Sequence, residues 1–202
     1  MSTGPSRWTV FAVLVGTLLV ADQVTKFLAV DRLTWAFQRT GATTLGAKVS
    51  TYYGLKHLEQ AARPPHVVWD PMWRMTYAEN PGAAWGMLRD LPHGLRHGFF
   101  VLVALSALGF ILWYYRRLRD DQRWMQVALA FVFTGAAGNL IDRLARGYVI
   151  DFVQWHWWRR PDLYWPIFNL ADSLIVVGVV MILLYPAEKQ AGKKEGSKGV
   201  PD

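Results

Sequence analysis

The sequence contains no cysteine. Disulfide bonds, thiolate metal sites and a cysteine nucleophile are therefore excluded, and the usual indication of the redox compartment is missing. Serine-hydrolase and nucleotide-binding patterns are also absent, since the chain has neither a Gly-x-Ser-x-Gly elbow nor a Walker-type loop. His93 and His97 have the spacing of a zinc-peptidase helix, but Gly94 stands where that motif needs Glu. We therefore expect neither a metal nor another cofactor.

Charge is scarce as well. Charged residues make up 18% of the chain, and the excess of basic ones gives a net charge of +7. The Lys and Arg residues lie mostly at the ends of apolar runs rather than on one polar helix, so nucleic acid is not expected as a partner. Anionic lipid headgroups are the partner that this distribution favours.

The chain is instead rich in hydrophobic residues, which make up 52% of it. Four apolar runs are each long enough to cross a hydrocarbon core of about 30 Å as a helix. They cover approximately residues 8–30, 98–115, 124–142 and 164–185. We predict an all-α membrane protein with four transmembrane helices in one domain, residues 1–186, and a basic, disordered tail, residues 187–202. A cleaved signal peptide is an alternative for the first run, but no A-x-A site follows it.

The basic residues that flank these runs predict the orientation. With the N-terminus inside, the inner flanks carry nine Lys and Arg residues, and the short outer loop between runs three and four carries four. Both termini are therefore expected in the cytoplasm. The long first outer loop, residues 31–97, contains β-like runs at 51–53 and 66–69 and several prolines, which favour short strands over a long helix.

The polar residues within and beside the runs converge on one membrane face. The ends of runs one and three, the start of run four and both outer loops meet there, whichever way the protein is inserted. These residues are Asp22, Lys26, Asn80, Asn139, Asp142, Arg143, Asp151, Asn169 and Asp172. Charged groups in a span cost several kcal/mol unless they are paired or hydrated, so this cluster indicates a functional site.

Some of these residues have a structural explanation. Asp22 and Lys26 are four residues apart on one helical face and could neutralise each other, so structural and functional roles stay equally open. Asp142 beside Arg143, at a helix end, is more typical of a structural pair or a snorkelling group than of a catalyst. The Gly-Ala-Ala-Gly run at 135–138 favours close helix packing.

Asp172 has no such explanation. It is expected about 10 Å inside the fourth helix, with no basic residue one turn away, and the nearby Asn169 cannot neutralise it. If Asp172 meets a second carboxyl group, the two would share one proton, which is the arrangement of aspartic proteolysis. One carboxylate activates a water molecule and the protonated partner donates to the scissile carbonyl. Asp142 and Asp151 both remain candidates for that partner.

Five sequence blocks resemble those of the lipoprotein signal peptidases, or type II signal peptidases. They read DQVTK at 22–26, NPGAAWG at 80–86, GNLIDR at 138–143, GYVIDF at 147–152 and FNLADS at 168–173. Each block alone is weak, but all five in this order, at the corresponding places in four spans, form a specific signature that covers nearly the whole chain.

The resemblance implies an aspartic endopeptidase of the bacterial inner membrane, active at the periplasmic face. It would cleave diacylglyceryl-modified prolipoproteins immediately before the lipidated cysteine, and its implied partners are this substrate, membrane lipids and globomycin-like inhibitors. The family's catalytic aspartates fall on Asp151 and Asp172, and a small β-structured cradle is implied in the first outer loop. Residues that line the site or hold substrate backbone fall on Asn80, Asn139, Arg143 and Asn169, with Asp142 as a further support and Asp22 and Lys26 as a structural pair.

The segment between Lys26 and Asn80 is longer than this family usually has. Its extra part, about residues 34–63, could cap the site, contact a partner or alter substrate preference. From the residues alone, two other functions stay open: a small transporter or proton relay that uses Lys26, Asp151 and Asp172, and a membrane assembly factor without chemistry.

Overall fold

The computed structural model describes residues 6–54, 57–82, 92–158 and 160–185. The predicted tail at 187–202 and residues 83–86 of the second sequence block lie outside these ranges. In chain order the elements are α1 (Arg7–Leu33), α2 (Ala36–Arg39), α3 (Leu45–Gly54), a 3₁₀ turn (Glu59–Ala61), β1 (His66–Trp69), β2 (Trp73–Asn80), α4 (His93–Tyr115), α5 (Arg123–Arg146), β3 (Val149–Trp157), β4 (Arg160–Tyr164) and α6 (Leu170–Leu183). The protein is mainly helical, as predicted, with a small antiparallel sheet.

Three helices of the described chain are long and apolar enough to cross a membrane: α1, α4 and α5. Their lengths of 27, 23 and 24 residues exceed the roughly 20 residues that a hydrocarbon core requires. The helix α6 is also apolar but has only 14 residues. Length and composition therefore support three spans directly, and the fourth predicted span corresponds to a shorter helix.

The helix α6 begins at Leu170 and not near residue 164, so the predicted start of the fourth span was wrong. The apolar residues before it form β4, which ends at Tyr164, and an extended connection through Pro166. Hydrophobicity alone does not distinguish a short apolar strand or extended segment from the start of a helix, which explains the error. Asn169 is the N-cap of α6, and its side chain accepts a hydrogen bond from the backbone N–H of Asp172.

The helix α5 lies at the centre of the helical layer. In an apolar 18-residue stretch of each helix, 56% is buried in α5, against 22% in α1 and 17% in α4. Small residues allow α5 and α6 to approach closely: a Cβ at Gly178 would lie 2.7 Å from the carbonyl oxygen of Ala128, and one at Gly135 would collide with the carbonyl of Ala171. The close helix packing expected around residues 135–138 is therefore present.

The sheet has four antiparallel strands in the order β1-β2-β3-β4. Only β1 and β2 come from the first connection, whereas β3 and β4 lie between α5 and α6. The expected cradle is thus present but was assigned too narrowly to the first loop. Gly147 allows the strands β3 and β4 to follow α5 directly, since it ends α5 in the left-handed conformation (φ 86°) and lets β3 start at Val149.

The first connection also contains helices that the sequence did not predict. Residues 51–53, interpreted as β-like, belong to α3, and residues 66–69 form β1 as predicted. Tyr52 is 2% exposed and its ring packs edge-on against Phe27 at a centroid distance of 5.4 Å. Burial against α1 has overridden the strand preference of neighbouring aromatic residues.

The two ends of the helical layer differ in chemistry. One end holds an apolar cluster that includes Phe11, Tyr115 and Met125, and the Tyr115 hydroxyl donates to the carbonyl of Arg7 at 2.7 Å. The other end carries the sheet, the end of α1, the end of α5 and the start of α6. The polar residues singled out in the sequence lie at this second end.

Candidate active site

Asp151 and Asp172 lie on different elements and meet at one asparagine. Asp151 is in β3 and is 2% exposed, and Asp172 is in the first turn of α6 and is half-buried. The side-chain amide of Asn169 donates to Asp151 Oδ1 at 2.7 Å, and its backbone N–H donates to Asp172 Oδ2 at 3.1 Å. One residue therefore holds both carboxyl groups.

The position of Asp172 follows from a capping box at the start of α6. Asn169 Oδ1 accepts from the backbone N–H of Asp172 at 3.0 Å, and the Asp172 carboxylate accepts from the backbone N–H of Asn169. Asp172 is thus the third residue of the helix rather than a group about 10 Å inside it, and that prediction is corrected. At a helix N-terminus the backbone dipole favours a negative charge.

Two more asparagines complete the hydrogen bonding of the carboxyl pair. Asn80 Nδ2 donates to Asp151 Oδ2 at 2.9 Å, and Asn139 Nδ2 donates to Asp172 Oδ1 at 2.7 Å. Asn80 reaches Asp151 because β2 and β3 pair Ala78 with Asp151, and residues two apart share one face of a strand. Every carboxylate oxygen of the pair therefore accepts an amide N–H.

The electrostatics of the pair favour one shared proton. Burial, and after it the charge of Asp172, raises the pKa of Asp151 from 3.8 to about 8. Hydrogen bonds from Asn80 and Asn169 and the charge of Lys26 act in the opposite direction but do not cancel this effect. At neutral pH the pair can hold one acid and one base, which is the requirement for paired general acid and base chemistry.

Arg143 brings a positive charge to the same site. Its guanidinium interacts electrostatically first with Asp172 and then with Asp151, and it lies 5.3 Å from the ring centroid of Phe100. Its Nη1 donates to the carbonyl of Asn139 at 3.4 Å, and its buried Nε has no hydrogen-bond partner among the described residues. Arg143 does not form an ion pair with Asp142 in the described chain, so the pairing of these two neighbours, one of the two structural explanations offered for Asp142, is corrected.

Asp142 pairs with two other cations. Its Oδ2 lies 2.8 Å from Lys26 Nζ, and its Oδ1 lies 2.8 Å from Arg146 Nη2. All three side chains are fully buried. Sequence reasoning missed Arg146. Its spacing from Asp142 was a usable signal, because residues four apart on a helix share one face, whereas the adjacent Asp142 and Arg143 do not.

Asp22 and Lys26 form the ion pair that the sequence suggested, at 2.9 Å and without exposure. Asp22 Oδ1 also accepts from the backbone N–H of Ala171 at 3.1 Å, and Gly138 leaves room for its carboxylate, since a Cβ there would collide with it. Lys26 further donates to Asn139 Oδ1 at 3.1 Å. The geometry favours a supporting role for both residues, because they contact the start of α6 and Asn139 rather than an open cleft.

A metal site has no support in the part of the chain that the structure describes: no group of three or more His, Cys, Asp and Glu side chains is arranged to hold an ion there. The arrangement that is present, two carboxyl groups with one proton and a nearby guanidinium, can activate water and polarise a carbonyl.

Comparisons with known proteins agree on one family. The family model for signal peptidase (SPase) II matches residues 14–187. The chain is 55% identical over 197 residues to a lipoprotein signal peptidase of Anaeromyxobacter sp. (strain Fw109-5), which covers 98% of this chain and 93% of that protein. It is 36% identical over 178 residues to the lipoprotein signal peptidase of Geobacter metallireducens, with 88% and 90% covered.

Two solved structures, both described as a bacterial membrane enzyme, have a similar fold. The first has a TM-score of 0.62 at 25% identity and covers 96% of this chain and 95% of its own. The second has a TM-score of 0.59 at 25% identity and covers 87% of this chain and 91% of its own.

Proposed function

The chain belongs to the signal peptidase II family, and from this premise we propose that Asp151 and Asp172 are the catalytic pair of its peptidase reaction. The protein is an aspartic peptidase that removes the signal peptide from prolipoproteins. The observation that carries the proposed assignment is the shared asparagine: Asn169 donates to both carboxyl groups, at 2.7 Å and 3.1 Å.

The proposed reaction begins with a water molecule between the two carboxyl groups. The ionised carboxylate takes a proton from this water, and the resulting hydroxide attacks the scissile carbonyl carbon. The protonated carboxyl group donates its proton to the carbonyl oxygen, and the tetrahedral intermediate then collapses as the leaving nitrogen accepts a proton. The first carboxyl group gives the proton it took from water to this nitrogen, and the second takes a proton back from the hydroxyl groups of the intermediate, which restores the single shared proton. Because the nucleophile is water and not an enzyme side chain, no covalent enzyme intermediate forms.

The surrounding residues have separate roles in this proposal. Asn80 holds the Asp151 carboxyl group at 2.9 Å, and Asn139 holds that of Asp172 at 2.7 Å. Arg143 supplies a positive charge, and its Nε has no hydrogen-bond partner in the part of the chain that the structure describes, which suits a substrate carbonyl or its developing oxyanion. The buried Asp22, Lys26 and Asp142 form a cluster of ion pairs that contacts Asn139 through Lys26.

We further propose that the substrate carries a diacylglyceryl group on a cysteine and is cleaved immediately before that cysteine. The protein would lie in the inner membrane with α6 as a fourth span, both termini in the cytoplasm and the site towards the periplasm. The flanking basic residues and the position of all site residues at one end of the helices support this orientation. Membrane lipids and globomycin-like inhibitors would be its other ligands.

The test is cleavage of a lipidated precursor by the purified protein in detergent. Asp151→Asn and Asp172→Asn are each expected to lower kcat by about 10²- to 10⁴-fold, the scale of a lost general acid or base. Both substitutions keep the side-chain shape, so the variants should remain folded.

Asp162→Asn is the matched control. Asp162 is exposed in β4 and pairs only with Arg160 among the contacts known for it, so its substitution should leave cleavage intact. Near wild-type cleavage by either dyad variant, in folded protein, would show that the assignment of the pair is wrong.

A further inference from the structure

The extra segment after α1, about residues 34–63, contacts residues that support the site. Its helix α3 packs against α5 and against the end of α1, and it buries Tyr52 at 2% exposure. The sequence left the role of this segment open among a cap, a partner surface and a specificity element. Its contacts indicate a different role.

Tyr52 holds the guanidinium of Arg146. Arg146 Nη1 donates to the backbone carbonyl of Tyr52 at 3.4 Å, and its guanidinium carbon lies 4.2 Å from the centroid of the Tyr52 ring. The ring of Tyr53 lies on the same cation, at 5.6 Å. The helix α3 thus fixes a charged side chain that belongs to α5.

Arg146 starts a chain of buried contacts that ends at the catalytic pair. Its Nη2 lies 2.8 Å from Asp142 Oδ1, and Asp142 Oδ2 lies 2.8 Å from Lys26 Nζ. Lys26 donates to Asn139 Oδ1 at 3.1 Å, and Asn139 Nδ2 donates to Asp172 Oδ1 at 2.7 Å. No link in this chain is longer than a hydrogen bond.

The direction of each hydrogen bond in this chain is fixed by chemistry. A lysine ammonium group can only donate, so Asn139 must turn its oxygen towards Lys26. The amide nitrogen of Asn139 then has one orientation left, and in that orientation it donates to Asp172. Lys26, together with Asn169 Nδ2, which donates to the same oxygen at 3.2 Å, therefore sets which atom of Asn139 faces the catalytic carboxylate.

Arg146 keeps Lys26 in this position through charge balance. The buried cluster holds two acids, Asp22 and Asp142, and two bases, Lys26 and Arg146. Without Arg146, one ammonium group would serve two carboxylates that are out of contact with water, and it would be drawn away from Asn139. Asn139 Oδ1 would then keep only the second of its two donors, Asn169 Nδ2 at 3.2 Å, and the Asn139 amide would be held less firmly against Asp172.

We propose that Arg146, held by Tyr52 of the extra segment, is a positioning residue for peptide cleavage that acts through Asp142, Lys26 and Asn139 on Asp172. The inference rests on the proposed catalytic pair. It gives the segment at 34–63 a role in organising the site rather than in covering it.

The first test is Arg146→Gln in the full-length protein, assayed on a lipidated precursor. We expect kcat per folded enzyme to fall roughly 10- to 100-fold, the scale of losing a supporting contact behind a catalytic group. KM should not change, because Arg146 is buried and does not face the substrate. The alkaline limb of the pH–rate profile should also move to higher pH, since Asp142 would add an unbalanced negative charge next to β3.

A second set of variants keeps the test decisive if Arg146→Gln does not fold. Tyr52→Leu removes the ring from the guanidinium and should lower kcat in the same direction, and Tyr52→Phe should restore it because ring and carbonyl remain. In Asp142→Asn combined with Arg146→Gln, the charges balance again, so kcat should exceed that of Arg146→Gln alone. Leu45→Ala, at a 72% exposed position of α3, is the control and should cleave normally.

A merely structural role gives a different result. In that case the variants would lower the thermal midpoint or the folded fraction, while kcat per folded enzyme and the pH profile stayed unchanged, and the inference would be overturned. If instead Asp151→Asn or Asp172→Asn still cleaves, the proposed catalytic pair has failed, which the Arg146 variants do not test. The two failures are therefore distinguishable.

Discussion

Asparagine amides organise the chemistry of this site at the scale of single residues. Asn80, Asn139 and Asn169 donate to all four carboxylate oxygens of Asp151 and Asp172 without adding any charge. A lysine or arginine in the same places would pull the pKa of Asp151 down and leave no proton for the acid role. Neutral donors orient the pair and still let it hold one proton.

The raised pKa of Asp151 predicts a loss of activity in mild alkali. Burial and the charge of Asp172 raise this pKa to about 8, and the hydrogen bonds from Asn80 and Asn169 and the charge of Lys26 act against the rise. Below that pH the pair retains one proton, and above it both carboxyl groups are ionised and no acid remains. We expect kcat/KM to decrease as the pH rises through about 8, which a pH–rate profile of precursor cleavage measures.

The control for this prediction is the stability of Asp151→Asn. A carboxyl group with a folded pKa above its unfolded value of 3.8 contributes stability that is complete below pH 3.8 and is lost as the pH rises through about 8. Across this window, the free energy of unfolding should therefore fall in the wild type relative to the Asn variant. Parallel stability curves and a flat rate profile would contradict a proton held on this pair.

At the scale of elements, the start of α6 is a structural and a functional feature at once. The capping box of Asn169 and Asp172 satisfies the first N–H groups of the helix and places a carboxylate at its positive end. The pairing of β2 with β3 brings Asp151 and Asn80 to the same place. The site therefore depends on one helix terminus and one strand pair, both of which the rest of the fold holds.

Substitution of Asn169 can separate these two roles. Serine caps helices about as well as asparagine, so Asn169→Ser should keep the stability of α6. It cannot supply the amide donor that reaches Asp151 Oδ1 at 2.7 Å, and we expect kcat to fall roughly 10- to 100-fold. The measurements are cleavage kinetics and a thermal unfolding midpoint in detergent.

Asn169→Ala serves as the comparison, because it removes both the cap and the donor and should lose stability as well as kcat. Normal cleavage by Asn169→Ser would mean that the contact with Asp151 has no part in the reaction.

At the scale of the whole molecule, the two ends of the helices are chemically distinct. One end has an apolar cluster around Tyr115, and the other has the sheet, the buried ions and the carboxyl pair. The connection between α4 and α5 lies at the first end, and β4 lies at the second. Membrane orientation thus determines which side of the bilayer the site serves.

Thiol labelling tests the proposed orientation directly, because the natural chain has no cysteine. Asp162→Cys introduces a thiol in β4, where the native side chain is 61% exposed, and Asp120→Cys introduces one between α4 and α5, where it is 80% exposed. In intact cells with a permeable outer membrane, an impermeant maleimide should label the first variant. It should label the second only after the inner membrane is opened.

Cleavage activity of both cysteine variants is the control that they are correctly inserted. The reverse labelling pattern would place the site on the cytoplasmic side and contradict the proposed orientation.

Local patterns in the sequence were sufficient for the long helices, for β1 and for the convergence of polar residues on one end. Apolar length and helical periodicity depend only on neighbouring residues, and the alternation of spans fixes which helix ends meet. The spacing of Asp22 and Lys26 likewise predicted their ion pair, since residues four apart share a helical face.

Only the tertiary structure decided which carboxyl group meets Asp172. Both Asp142 and Asp151 were candidates, but the oxygens of Asp142 are bound by Lys26 from α1 and by Arg146, whereas Asp151 shares Asn169 with Asp172. The start of α6, the helix α3 and the strands β3 and β4 were also set by contacts between segments far apart in the chain. Burial against a distant partner overrides local preference, and no local pattern contains that information.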